Sequence, residues 1–366
     1  MSLPPIVIFA FNRPDYLRRL CRSLKAQQGV ALHEADIHLM QDGAVSPRSG
    51  MRFAEDAEIA ANIAAFREEL PRGQVHAAPK NLGIALNLHR GEALAFETLG
   101  AEVGYFFEED LELGPHYLAM LETIRLQLPA HPRLGYFAAY GSHRHTSDPT
   151  RPRFIPLEHH WGFGLTAACW HAMQPWLAPF HTIWNESDYQ GRPHLRLVET
   201  YLEKAVASAQ SSQDVSKTMA CAELGFGRVN LDVCYARYIG RQGQSFRDAN
   251  FERHGYDAMV YADTLPDQLP ILAEATLAGF IEAKRAHHAH FRAERLEPEL
   301  TAMRQRLFNP DRLATRQDIL DIWRVLMDRV PEEDYIARNE GQNTVRHIRS
   351  SLLRGREARV KSFFLK

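Results

Sequence analysis

The run Ile6-Val7-Ile8-Phe9-Ala10-Phe11 is apolar at every position and of strand length, the pattern of a strand covered on both faces. It stops at Asn12-Arg13-Pro14, after which Tyr16, Leu17, Leu20 and Leu24 recur at helical spacing across Asp15 to Ala26. The order of strand, polar loop and helix then returns. Ile37 to Met40 ends in Gln41-Asp42-Gly43, an amphipathic helix follows over Met51 to Leu70, and a short strand is expected near Val75-His76. Asn81-Leu82-Gly83 is a turn that opens a helix through Thr98, and Val103-Gly104-Tyr105-Phe106-Phe107 reads as a buried strand running into Glu108-Glu109-Asp110. This alternation predicts an α/β fold, a mostly parallel sheet with helices on both faces.

The chain has 366 residues, 45% of them apolar, and a formal charge of -2, enough to bury a substantial core and with no basic excess to suggest nucleic acid. Met1-Ser2-Leu3-Pro4-Pro5 lacks the features of a secretion signal. No apolar run reaches the roughly 18–20 residues that span a bilayer. Cys21, Cys169, Cys221 and Cys234 are scattered, so reduced thiols and a cytoplasmic location are expected. From Pro266 the pattern turns to long helical stretches, Leu272 to Leu296 and Glu297 to Leu307, and a break at Asn309-Pro310 precedes a last unit in which Ile319, Ile322, Trp323, Leu326 and Met327 recur helically. The expected division is a catalytic domain over 1–256, a helical linker region over 257–308 and a small helical module over 309–366.

Ligands of open α/β sheets bind beyond the carboxyl ends of the strands, so Asn12, Arg13, Asp42 and Glu108 to Asp110 should converge. Three carboxylates at the end of an apolar strand need a satisfying partner if they are buried. Either a divalent cation with oxygen ligands, Mg²⁺ or Mn²⁺, fills that role, or the triplet is a solvated acidic turn. The 18 histidines, including His143 and His145, His159 and His160, and His287, His288 and His290, show no zinc-ligand spacing.

Five segments, in order, resemble the metal-dependent inverting glycosyltransferases of the nucleotide-diphospho-sugar (GT-A) fold, most nearly the N-acetylglucosaminyltransferases of N-glycan branching. Ile6 to Leu24 looks like the family's first strand, N/D-R turn and helix, and His38 to Gly43 like its second strand with S-Q-D. Tyr105 to Pro115 is similar to its metal-site strand E-D-D-L-E-x-x-P, His160 to Trp170 to its P-G-L-G-W segment, and Tyr238 to Phe246 to its F-G-R-x-G-V-S loop. Glu109 replaces the usual Asp and Phe246 the usual His.

The resemblance implies that Asp110 is the direct metal ligand and that Glu109 lies near the ribose of a nucleotide-sugar donor. Phe11, Asn12 and Arg13 would form the first donor loop, with Arg13 on the phosphates; Asp42 would meet the nucleoside, with the Asn81 to Gly83 turn nearby. Gln244 and Ser245 would close over the diphosphate. Asp214 is the implied base, with Glu186 and Asp188 as alternatives. Trp161, Gly162, Phe163 and Gly164 would contact a sugar, or else form a tight core turn, and His89 and Arg90 stand one turn into the helix after Asn81-Leu82-Gly83.

The tail resembles a small helical module of bacterial glycan-assembly proteins. Its basic, aromatic-tipped end, from Arg346 to Lys366, suits either peripheral contact with an anionic membrane or a solvated helix face. The expected activity is sugar transfer with inversion to a glycan or lipid-linked acceptor, homo-oligomerisation staying open. The alternatives are a non-catalytic glycan-binding scaffold and a sugar nucleotidyltransferase, although Phe11-Asn12-Arg13-Pro14 lacks the glycine-rich loop and lysine of that class.

Overall fold

Strand β1 (Ile6–Ala10) is wholly buried and forms the axis of the sheet, flanked in parallel by β2 (Ile37–Gln41) and β4 (Val103–Glu108). The computed structural model describes residues 3–142, 147–241, 248–307 and 310–355. Next to β2, β3 (Gln74–Ala77) continues the parallel order. The crossovers are α1 (Pro14–Lys25), α2 (Asp56–Glu69) and α3 (Ile84–Ala93), the last extended by a π-helical turn over Leu94–Thr98. Pro14 opens α1, where its fixed φ suits a first turn and its missing N–H costs nothing. Leu17, Leu20, Cys21 and Leu24 then form the buried stripe. Helix α2 starts at Asp56 rather than Met51, because Val45 and Arg52 first form an antiparallel bridge and the Glu58 carboxylate accepts the Glu55 N–H at 2.8 Å.

Past β4 the chain leaves the simple parallel winding. Strand β5 (Leu111–Leu113) and the late β10 (Ala236–Tyr238) make a separate antiparallel ribbon. Helix α4 (Tyr117–Arg125) leads to β6 (Leu134–Ala138), then come β7 (Phe154–Pro156), β8 (Gly162–Thr166), α5 (Ala167–Glu186), α6 (His194–Thr200), α7 (Gln213–Leu224), β9 (Gly227–Leu231) and α8 (Asp248–Arg253). Among the described residues the main sheet has eight strands in the order β3-β2-β1-β4-β8-β6-β9-β7. Only β8 and β7 run against the rest, so the sheet is mostly parallel, with helices around it. Gly162 and Gly164 therefore lie in the middle of a sheet, not in a turn. A Cβ at Gly162 would stand 2.5 Å from Leu111 Cδ2 and 2.9 Å from the Phe107 ring, and one at Gly164 2.2 Å from the Phe137 ring, so close core packing accounts for both glycines.

Helices α9 (Glu274–Phe291) and α10 (Glu297–Leu307), with the π-helical turn Arg292–Leu296 between them, share the core of the sheet: Leu277, Leu296, Leu300 and Met303 are buried in it. Helices α11 (Arg316–Met327), α12 (Glu333–Asn339) and α13 (Val345–Arg354) enclose a second small core around Ile319, Ile322, Trp323, Ile336 and Ile348. Asp318 is fully buried there, satisfied by Arg312 at 2.6 Å and by the N–H and hydroxyl of Thr315 at the start of α11. Among the described residues no helix is long and apolar enough to cross a membrane.

Candidate active site

Ala10 pairs with Gln41 and Gln41 with Ala77, while Phe9 pairs with Glu108, so four parallel strands end on one line. The residues that follow them are the ones singled out in the sequence. Phe11, Asn12, Arg13, Asp42, Asn81, Gly83, Glu109 and Asp110 all line one cavity of about 530 Å³ at this edge. That volume lies within the range of about 300–1,000 Å³ common for small-molecule sites.

Arg13 sits between two of the acids. Its Nε donates to Glu109 Oε1 at 2.6 Å and its Nη1 to Asp110 Oδ2 at 2.8 Å. Burial opposes its charge, but Asp110 and Glu109 outweigh that and hold the guanidinium well above its ordinary pKa. Glu109 is turned into the fold, where its Oε2 accepts from the Phe11 N–H at 3.0 Å and from Asn62 Nδ2 at 3.3 Å. Asn62, on α2, also reaches Gln41 Oε1 at 3.1 Å, so Glu109 knits the ends of β1, β2 and β4 to a helix. Burial raises its pKa, with Arg13 working the other way.

Asp110 is 3% exposed, and its Oδ1 is buried with no hydrogen-bond partner. Beside it, Glu108 is held well above the usual carboxylate range by burial, then by the negative charge of Asp110, with Asp214 adding to the rise and Arg13 opposing it. Among the described residues no three His, Cys, Asp or Glu side chains form a ready metal cage. The set nonetheless fits a magnesium-like ion, which commonly uses one or two carboxylates and completes its shell with substrate phosphates and water. Asp110 Oδ1 and Glu108 are the carboxylate oxygens available to it.

Asp42 has a structural duty. Its Oδ1 accepts the N–H groups of Gly43 at 2.9 Å and Leu82 at 2.7 Å, and its Oδ2 those of Gly83 at 3.0 Å and the Asn81 amide at 3.3 Å. Burial pushes its pKa up, and the backbone donors offset part of that. The carboxylate thereby clamps the Asn81-Leu82-Gly83 turn over the cavity and sets the start of α3. Gly83 has φ +80°, and a Cβ there would be 2.9 Å from Tyr189 Cβ, so both backbone and space demand glycine.

The three candidate bases separate clearly. Asp214 lies half-buried in the first turn of α7 and its charge acts on Glu108, Tyr189 and Tyr201, which places it at the acidic end of the cavity, although it is not part of the lining. Asp188 is buried and accepts the hydroxyls of Ser46 and Ser49, so it ties two loops together. Glu186 pairs with Arg196 at 2.5 Å on the surface. His89 and Arg90 do not line the cavity; Arg90 Nη2 donates to the His76 carbonyl at 2.5 Å. Phe163 and the two glycines of β8 belong to the strand, and Trp161 meets the site by stacking on Tyr238, 4.6 Å between ring centres, and through its carbonyl, which accepts the Glu108 N–H at 2.9 Å. Gln244 and Ser245, like His143 and His145, lie outside the described residues.

Tyr189, Gln190 and Tyr238 also line the wall, as do Phe53, Ile84 and Asn87, none of them expected as site residues from the sequence. Tyr238 opens the segment whose likeness drew attention to its later residues; Tyr189 and Gln190 follow Asp188 with no local signal at all.

No protein-family model and no curated protein matches this chain. Among solved structures it is similar to residues 1-349 of TarS from S. aureus, at 14% identity over 96% of this chain and 91% of that one, with a TM-score of 0.37. The same TarS segment in complex with UDP-GlcNAc matches at 13% identity, with 96% and 91% covered and a TM-score of 0.40. A longer TarS chain matches at 13% identity, with 96% of this chain and 55% of that one covered and a TM-score of 0.36.

Proposed function

We propose that the chain is a metal-dependent, inverting glycosyltransferase that moves a sugar from a nucleoside diphosphate donor to a glycan or lipid-linked acceptor. The observation that carries this reading is the buried, unpaired Oδ1 of Asp110 beside an arginine-bound acidic cluster, on the wall of a cavity large enough for a nucleotide sugar. A cation held by Asp110 and Glu108 would neutralise charge that builds on the leaving diphosphate.

The chain's own residues supply the rest. Arg13 puts a fixed positive charge between the two acids and within the cavity wall, where a diphosphate would need it. The turn clamped by Asp42 presents the amino end of α3, with Ile84 in the lining, toward the same space, and helix amino ends favour anions. In the transfer, the acceptor oxygen attacks the anomeric carbon as the diphosphate oxygen departs with the bonding electrons. Asp214 is the proposed group that takes the acceptor's proton.

A thermal-shift screen of nucleotide sugars, with and without Mn²⁺, tests the reading, because a ligand that binds only the native state stabilises it by about 2.7 kcal/mol at a hundred times its Kd. Stabilisation that needs Mn²⁺ and disappears in Asp110→Ala is the expected result. If no nucleotide or nucleotide sugar raises the melting temperature, the reading is wrong.

A further inference from the structure

Behind the cavity wall at Tyr189 and Gln190, the end of the C-terminal helix α11 meets Arg192 and His194. Arg192 lies at the centre of the contact. Its Nη1 donates to the Tyr189 carbonyl at 2.9 Å, its guanidinium covers the Tyr189 ring at 4.5 Å, and its Nε donates to Ser211 Oγ at 2.9 Å and to the Ser211 carbonyl at 3.1 Å. The Tyr189 hydroxyl in turn accepts the Gln213 N–H at 3.0 Å, at the first residue of α7 and one before Asp214. His194 reaches the same Ser211 hydroxyl at 3.0 Å. One connected group of side chains therefore sets both the donor-side wall and the start of the helix that carries the proposed base.

Asp328 closes this group from the C-terminal module. It ends α11, and its carboxylate stands 4.0 Å from Arg192 Nη2 and 3.5 Å from His194 Nδ1. Among the described residues it is the sole non-glycine with positive φ, +56°, a helix-ending position that glycine or asparagine fills with less strain. Nothing in the helix stop requires the negative charge. The charge finds its use across the interface, where Val325 of the same helix also packs against the main core.

We infer that Asp328 is a positioning residue for the cavity: held against Arg192 and His194, it fixes the Tyr189–Arg192 wall and the start of α7, which makes the C-terminal module a working part of the site. The functional half of this inference rests on the donor-site reading above; the structural half does not.

Both Asp328→Asn and Asp328→Gly keep the left-handed backbone while removing the charge. Hydrogen exchange on the full chain should show the amide of Gln213, bonded to the Tyr189 hydroxyl, and that of Gly191, bonded to the Asp188 carbonyl beside the wall, exchanging about three- to fivefold faster in both variants. Helices α3 and α11 should keep their protection. Arg192→Lys should give the same pattern, and adding Asp328→Asn to it should change little more. Unchanged exchange at Gly191 and Gln213 in both Asp328 variants, or effects of Arg192→Lys and Asp328→Asn that simply add, would overturn the inference. With Mn²⁺ and ADP, GDP, UDP or dTDP as probes, the nucleotide that stabilises the wild type should bind about three- to fivefold more weakly to Asp328→Asn, whereas equal affinity would refute the functional half. If none of the four binds the wild type, the donor-site reading fails, and the exchange data still decide whether Asp328 holds the wall.

Discussion

Replacing Lys217 by methionine tests how the two helices beside the cavity are held together. Lys217, on α7 one turn after Asp214, meets Glu92 of α3 at 2.5 Å, with the two side chains 4% and 1% exposed. Trp170 Nε1 donates to the other Glu92 oxygen at 3.1 Å. At this distance and an effective dielectric constant of about 20, the gross attraction is about 7 kcal/mol, most of which offsets the cost of taking both charges out of water. Lys217→Met leaves the carboxylate buried with one neutral donor, so the loss should be about 3–5 kcal/mol, as for other broken buried pairs. The double variant Glu92→Leu, Lys217→Met removes both charges and strands only the Trp170 N–H, at about 1–3 kcal/mol. Urea unfolding at unchanged slope measures each corner of the cycle. A loss below about 1 kcal/mol for Lys217→Met, or a double variant as unstable as the sum of the singles, would refute the reasoning.

Asp214→Asn should keep the nucleotide-induced thermal shift and lower transfer by at least about a hundredfold, the usual worth of a positioned base; a mutant as active as wild type rejects that base. Burial lowers the His181 pKa to about 3, with His89 and Lys217 adding to the effect. The folded state thus binds this proton less readily than the unfolded one, and the stability it contributes is present above about pH 6.5 and declines as the pH falls toward 3. Between pH 7 and pH 5 the wild type should therefore lose about 1–2 kcal/mol more than His181→Leu, read as the difference in urea midpoints at the two pH values. Asp318→Ala should free Arg312 and the α11 cap together, costing about 2–4 kcal/mol, and limited proteolysis should then cut within 310–355 while the sheet domain survives.

The strands and helices through Glu108 were legible because each is a local matter. An unbroken apolar run predicts a buried strand, a 3.6-residue period predicts a helix, and in a parallel sheet the polar residues after each strand must meet at one edge. Arg13, Asp42, Asn81 and Asp110 could be chosen on those grounds and on likeness to a known family, and all four line the cavity. Which acid does what was not local. Arg13 and its two carboxylates are 96 and 97 positions apart, Asp188 finds its serines 139 and 142 positions away, and Asp42 spends its oxygens on a turn some 40 residues on. A carboxylate's role follows from the donors folded around it, and residue spacing carries no record of those. The reversal of β8 was hidden for the same reason: its two glycines look like a turn until the side chains of Leu111, Phe107 and Phe137 are seen to need their space. The chain alone determined the elements and the edge where they open; tertiary packing alone decided that Glu109 and Asp42 are braces, that one oxygen of Asp110 is left without a partner, and that the end of α11 meets Arg192 and His194 behind the cavity wall.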